Sequence, residues 1–288
     1  MRVTLTAGAA CSSAVLLLAL LFTSAVHSEP DEELLGKQRG YPVGTNSGNW
    51  YSNPYRVGSW SAMDRVNGLP NRTVPRGATV SPLPVAAQQP AISYRFRNIG
   101  YSLDDYLERQ RVTGLLILKN GEIVAERYRY GRTENARFLS FSMAKSVTSM
   151  LVGIALQKGV IASLDDPAEK YARQLEGSPY GATPLRHLLR MSSGLTFTER
   201  YDGNDDVARM SRAAATGRPP MLEVLRSIGP RHDPSGQKFV YASAETEVLG
   251  RVLAGASGRT VADLTSEWLW QPLGAERDAF WILSQDGQ

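Results

Sequence analysis

Two short patterns in the chain could do chemistry. Ser142-Met143-Ala144-Lys145 sets a hydroxyl and an amine three residues apart. On a helix these share a face. A serine in the first helical turn lies among free N–H groups at the positive end of the dipole, where an oxyanion is stabilised. A lysine desolvated by an apolar helix favours its neutral amine and can accept the serine's proton. The chemistry would be acyl transfer through a covalent serine ester. The pattern alone is weak. With 26 Ser and 6 Lys in 288 residues, about half a match arises by chance. A second match, Ser235-Gly236-Gln237-Lys238, follows Pro234 and contains Gly236, so it reads as a turn. Ser142 reads equally well as a helix N-cap with Lys145 on the surface.

An acyl-transfer site also needs a general acid and base. The chain has three histidines and one cysteine. His187 lies within a helical stretch and reads as a packing residue. His232, beside Asp233, lies in a Pro/Gly-rich loop. Tyr241-Ala242-Ser243 is the better candidate, because it follows the apolar Phe239-Val240 and precedes a helix. A phenol beside a lysine ammonium can serve as base and then acid. The competing reading is a buried core tyrosine, and Tyr51-Ser52-Asn53 repeats the short pattern elsewhere. Asp165 and Asp166, followed by Pro167, read as a turn rather than a metal site. Glu245 and Glu247 point to different faces of one helix, and neither is given a catalytic role. No cofactor and no metal are expected.

The elements that must position these residues follow from periodicity and punctuation. Residues 115–118 and 123–130 flank Asn120-Gly121, which predicts a β-hairpin. Ser102 and Asp105 form a capping-box pattern before a short helix. Val147, Met150, Leu151 and Ile154 predict a helix over 142–157, ended by Gly159. Thr183-Pro184 opens a second helix, closed by Gly194, and Pro219-Pro220 a third, to about 228. Residues 244–256 and 260–270 predict two more. Residues 29–93, rich in Gly, Pro, Ser and Asn, predict an irregular arm that docks through Trp50, Tyr51, Tyr55 and Trp60.

Composition bounds the rest. Hydrophobic residues make up 42% and charged residues 21%, which is globular composition and excludes wholesale disorder or a coiled coil. A single cysteine excludes an internal disulfide framework. The net charge is +4, but the 26 arginines form no stripe, and no nucleic-acid partner is expected. Residues 14–22 (AVLLLALLF) suit a signal-peptide core better than a membrane span. Val26 and Ser28 fit cleavage after Ser28, which would remove Cys11 and His27. The reading is an exported, periplasmic or secreted protein. It touches a membrane only through residues 1–28 if they are uncleaved.

Taken together, the motifs resemble the class C β-lactamase and penicillin-binding-protein superfamily. S-x-x-K is followed about a hundred residues later by Y-x-S before a helix. Between them stand GVIASLDDP (159–167) and LLRMSSG (188–194), and YASAETEVLG runs over 241–250. Ser243, where β-lactamases carry Asn, makes the chain most similar to the 6-aminohexanoate-dimer hydrolase branch. The resemblance runs from about Tyr94 onward and implies an α/β (α+β) serine β-lactamase/transpeptidase-like fold over 94–288. That fold has an antiparallel sheet flanked by helices and a mostly helical region. It also implies Ser142 as nucleophile, Lys145 as proton acceptor, Tyr241 as general acid/base, and Tyr201 and Ser243 as substrate contacts. The Ser142 amide would supply half the oxyanion hole.

The family's third motif, a Lys- or His-x-Gly triplet on a strand, is absent after Ser243, and Lys119-Asn120-Gly121 falls in the hairpin turn. The expectation is a C-terminally truncated member whose sheet keeps only the first hairpin. Two readings of function follow. One is an exported hydrolase of small linear amides or esters, with β-lactams or D-Ala-D-Ala peptides as lesser options. The other is a non-catalytic relative that binds a peptide or peptidoglycan-like ligand.

Overall fold

The computed structural model describes residues 31–45, 48–66 and 68–287. The apolar segment 14–22, the cleavage point after Ser28, Cys11 and His27 lie outside the described residues.

The region expected to be irregular contains regular elements. Helix α1 (Arg56–Ser61) is followed by strand β1 (Asn71–Val74). A hairpin of β2 (Ser93–Phe96) and β3 (Ile99–Ser102) comes next. Helix α2 (Leu103–Arg109) opens on the expected capping box. Ser102 Oγ accepts from the Asp105 amide at 3.1 Å, and Asp105 Oδ2 accepts from the Ser102 amide at 2.7 Å. Two orphan donors at the helix start are thereby satisfied.

The Asn-Gly hairpin forms as expected, from β4 (Gly114–Lys119) and β5 (Glu122–Tyr128). Asn120 and Gly121 have φ of 54° and 82°, the left-handed pair a two-residue turn of this twist requires. The expectation that only this hairpin supplies strands needs correction. Among the described residues there are three two-stranded antiparallel sheets: β4–β5, β2–β3, and β1 paired with β6 (Ala279–Ile282). The last joins the arm to the end of the described chain. Arg76 N also donates to Asp278 Oδ1 at 2.9 Å across 202 residues.

The helical region begins with α3 (Ala144–Gln157), followed by α4 (Leu185–Leu189), α5 (Asp206–Thr216) and α6 (Met221–Ser227). After these come α7 (Ser243–Ser257) and α8 (Val261–Thr265). A π-helical turn over Ser266–Trp270 continues α8. The core lies here: Leu151, Val152 and Ala155 of α3 and Val248, Val252 and Leu253 of α7 are essentially inaccessible. Each large aliphatic side chain so buried contributes roughly 1.5–3 kcal/mol. This packing holds α3 and α7 at fixed distance.

Two helix boundaries differ from expectation. Helix α4 stops at Leu189, and Gly194 does not close it. Gly194 has φ of 79°, and a Cβ there would fall 2.0 Å from the Asp233 carbonyl oxygen. It is the point where the 190–195 loop passes against the 230–234 segment. Residues 141–143 form a separate 3-10 turn before α3. Ser142 therefore precedes the α-helix rather than starting it. No helix among the described residues is long and apolar enough to cross a membrane.

Candidate active site

The turn Phe141–Met143 holds Ser142 at the mouth of α3. Phe141 has φ of 45°, a left-handed conformation costing a bulky residue on the order of 1–3 kcal/mol. Neighbouring packing offsets this. The Trp60 ring meets Phe141 edge-on at 5.6 Å, and Trp50 lies 6.4 Å away. Leu139 N also donates to the Trp60 carbonyl at 2.9 Å. The aromatic arm thus docks beside the serine. Met143 occupies the N-cap of α3, with no side-chain capping bond, so the Ser142 hydroxyl is not spent as a cap.

That hydroxyl instead meets both other candidates. Lys145 Nζ lies 3.0 Å from Ser142 Oγ. Tyr241 OH lies 2.8 Å from the same atom, across 99 residues of sequence. Lys145 Nζ sits 5.2 Å from the centre of the Tyr241 ring. Tyr241 is 37% exposed and is not the buried core tyrosine of the competing reading. It reaches the site on the extended segment before α7, where Val240 N donates to the Met191 carbonyl at 2.8 Å. The α3–α7 packing therefore fixes the Ser–Lys pair against the tyrosine.

Tyr201 and Ser243 share a partner that the sequence reading passed over. Glu199 Oε1 accepts from Tyr201 OH at 2.6 Å and from Ser243 Oγ at 2.8 Å. Its Oε2 accepts from the Ser243 amide at 2.8 Å. The hydrogen bond to Glu199, with partial burial behind it, pushes the Tyr201 phenol up to about 12. Tyr201 itself is left-handed at φ 59°. Its loop is held by buried Asp205, which accepts from the amides of Arg200 (2.5 Å), Tyr201 (2.7 Å) and Ala208 (3.0 Å). The last bond is the N-cap of α5. Glu199 stands two residues before Tyr201 in Thr198-Glu199-Arg200-Tyr201, and that spacing was the only local signal for it.

The remaining titratable residues fall elsewhere. His187 Nδ1 lies 2.7 Å from Ser235 Oγ, while Lys238 pairs with Asp233 at 3.3 Å. The second S-x-x-K match therefore makes no Ser–Lys pair. His232 is a solvent-exposed loop residue near Asp233. Asp165 is bonded to Arg186, and Asp166 to Tyr171 and Lys170. Both aspartates are held below the usual carboxylate range by these partners. Glu247 pairs with Arg251 at 3.0 Å. Glu245 is buried, and burial pushes it up to about 7. Among the described residues no group of acidic, His or Cys side chains could hold a metal ion. A cleft of about 740 Å³ has Lys145 and Ser243 in its wall, with Arg72, Glu247, Arg251 and Trp281. Neither Ser142 nor Tyr241 lines it.

The Beta-lactamase family profile matches residues 102–286. The chain is 28% identical over 249 residues to a 6-aminohexanoate-dimer hydrolase from Paenarthrobacter ureafaciens, covering 83% of this chain and 60% of the relative. It is 25% identical over 187 residues to a Beta-lactamase from Pseudomonas fluorescens, covering 60% of this chain and 47% of the relative. A solved structure, "Putative 6-aminohexanoate-dimer hydrolase from Bacillus anthracis", superposes with a TM-score of 0.74 at 20% identity. The match covers 83% of this chain and 64% of that one. The chain thus spans about 60% of the length of its hydrolase relative.

Proposed function

The chain belongs to the Beta-lactamase family, and from that footing we propose that it cleaves amide or ester bonds of small linear substrates through an acyl-enzyme on Ser142. The observation that carries the reading is the convergence of Lys145 Nζ and Tyr241 OH on one serine oxygen, at 3.0 and 2.8 Å. A hydroxyl flanked by an amine and a phenol has both a proton acceptor and a proton donor within reach.

Ser142 Oγ bonds to the substrate carbonyl carbon as its proton passes to Lys145 in its amine form. The Ser142 amide stabilises the developing oxyanion. The C–N or C–O bond breaks as Tyr241 gives its proton to the leaving amine or alkoxide. Lys145 returns the first proton to Tyr241. Water then repeats the sequence, releasing the acid and freeing Ser142. Small linear amides are the substrate class because of the likeness to a 6-aminohexanoate-dimer hydrolase and because Ser243 stands in the Tyr-x-Ser motif. The apolar segment 14–22 supports export to the periplasm or medium.

Steady-state hydrolysis of p-nitrophenyl acetate and of a linear aminohexanoyl amide tests the proposal. Turnover that disappears with Ser142→Ala is the expected result. Turnover that survives that substitution refutes the assignment.

A further inference from the structure

We propose that Glu199 is the positioning residue of this site, a single carboxylate that ties the Tyr201 loop to the first residue of α7. Its catalytic consequence rests on the hydrolase reading above; its geometry does not.

The side chain spends both oxygens on the site. Oε1 takes the hydroxyl protons of Tyr201 and Ser243 at 2.6 and 2.8 Å, and Oε2 takes the Ser243 amide at 2.8 Å. Charge-assisted bonds of this kind are about twice as strong as neutral ones. Ser243 is the first residue of the 15-residue helix α7, so the carboxylate also meets the positive end of that dipole. The N-cap position of α7 is Ala242, and no side-chain capping bond is made from it. Glu199 supplies the cap from 44 residues away. The adjacent cation, Arg200, pairs with Asp202 at 2.9 Å.

The constraint matters because Tyr201 is otherwise poorly held. Its side chain is 71% exposed and its backbone is left-handed. Asp205 fixes the loop's amides, and Glu199 alone fixes the phenol to α7. Tyr241 stands two residues before Ser243 on the same chain entry. Glu199 thereby sets the distance between the loop and the reactive cluster without touching Ser142.

The test is spectrophotometric titration of Tyr201 in the full chain, with Tyr201→Phe subtracted, in the wild type and in Glu199→Gln. The groups facing this phenol are Glu199, Tyr241 and Asp205, and only the first is changed. Wild-type Tyr201 should titrate near 12, and Glu199→Gln should bring it toward the ordinary value of about 10. Glu199→Gln should also raise KM for the aminohexanoyl amide about tenfold with a smaller change in kcat, the pattern of lost substrate placement. An unmoved titration in Glu199→Gln overturns the proposal. So does a wild-type Tyr201 that already titrates near 10, whatever the folding of the variants. Failure of the hydrolase reading is separate: the wild type would lack turnover while the titration still decides the role of Glu199.

Discussion

Ser142 Oγ stands within hydrogen-bond reach of both Lys145 Nζ and Tyr241 OH, and the proposed reactivity rests on those two neighbours. Tyr241→Phe removes the phenolic proton and leaves the ring over Lys145, so it should lower kcat/KM about 10²–10³-fold with little loss of stability. A mainly structural tyrosine would show the reverse. Ser142 and Lys145 were legible in sequence because i and i+3 is a local relation. Tyr241 was legible because an apolar strand-like run ends on it and a helix begins after it. Glu199 was not, because Ser243 arrives from 44 residues away and the two-residue spacing to Tyr201 does not by itself mark a hydrogen bond. Glu245 was given no catalytic role from its place on the helix, and its burial was invisible in the sequence. Its Oε1 receives a long bond, 3.4 Å, from the Ser193 amide, and its Oε2 has no hydrogen-bond partner among the described residues. Burial raises it from 4.5 to about 7. Between those values the folded chain keeps a proton that the unfolded chain releases, so its contribution to stability falls as pH rises through that window and levels off above 7. Glu245→Gln should therefore gain about 1–3 kcal/mol relative to wild type between pH 5 and pH 8. Urea unfolding at the two pH values checks this, and an identical difference at both would contradict it.

At the scale of elements, punctuation and period succeeded where both were strong. Gly159 has φ of 70° just past α3, and Pro219-Pro220 precedes α6. Helix α5 was missed, because its start lies in the polar run Asp202-Gly203-Asn204-Asp205-Asp206, which reads as loop. Its cap, Asp205, is nearly inaccessible and also accepts two amides of the Tyr201 loop. Asp205→Ala should lower the melting temperature by several degrees, as a lost cap and two orphaned amides require. It should also raise KM as Glu199→Gln does. An unchanged KM with a lowered melting temperature would confine Asp205 to capping. Strands β1 and β6 were also missed. Four residues are too few to show a period of two, and the partner lies about two hundred residues away.

Early and late segments of the described chain meet in one sheet. The N-terminal region lends β1 to β6 and its tryptophans to Phe141. The aromatics of the arm signalled docking; where they dock was a tertiary fact with no sequence period. Trp60→Ala should cost about 2 kcal/mol for a half-buried ring. It should also slow acylation of Ser142, because Phe141 loses the neighbour that holds its left-handed backbone. A stability loss with acylation unchanged would show that the arm covers the turn without shaping it.

The proposed hydrolase stands on an activated serine at 142. Intact-mass analysis of the protein after exposure to a fluorophosphonate, beside Ser142→Ala, tests it most directly. One adduct on the wild type and none on the variant is the predicted result. No adduct on folded wild-type protein, or an adduct that persists in Ser142→Ala, would contradict it.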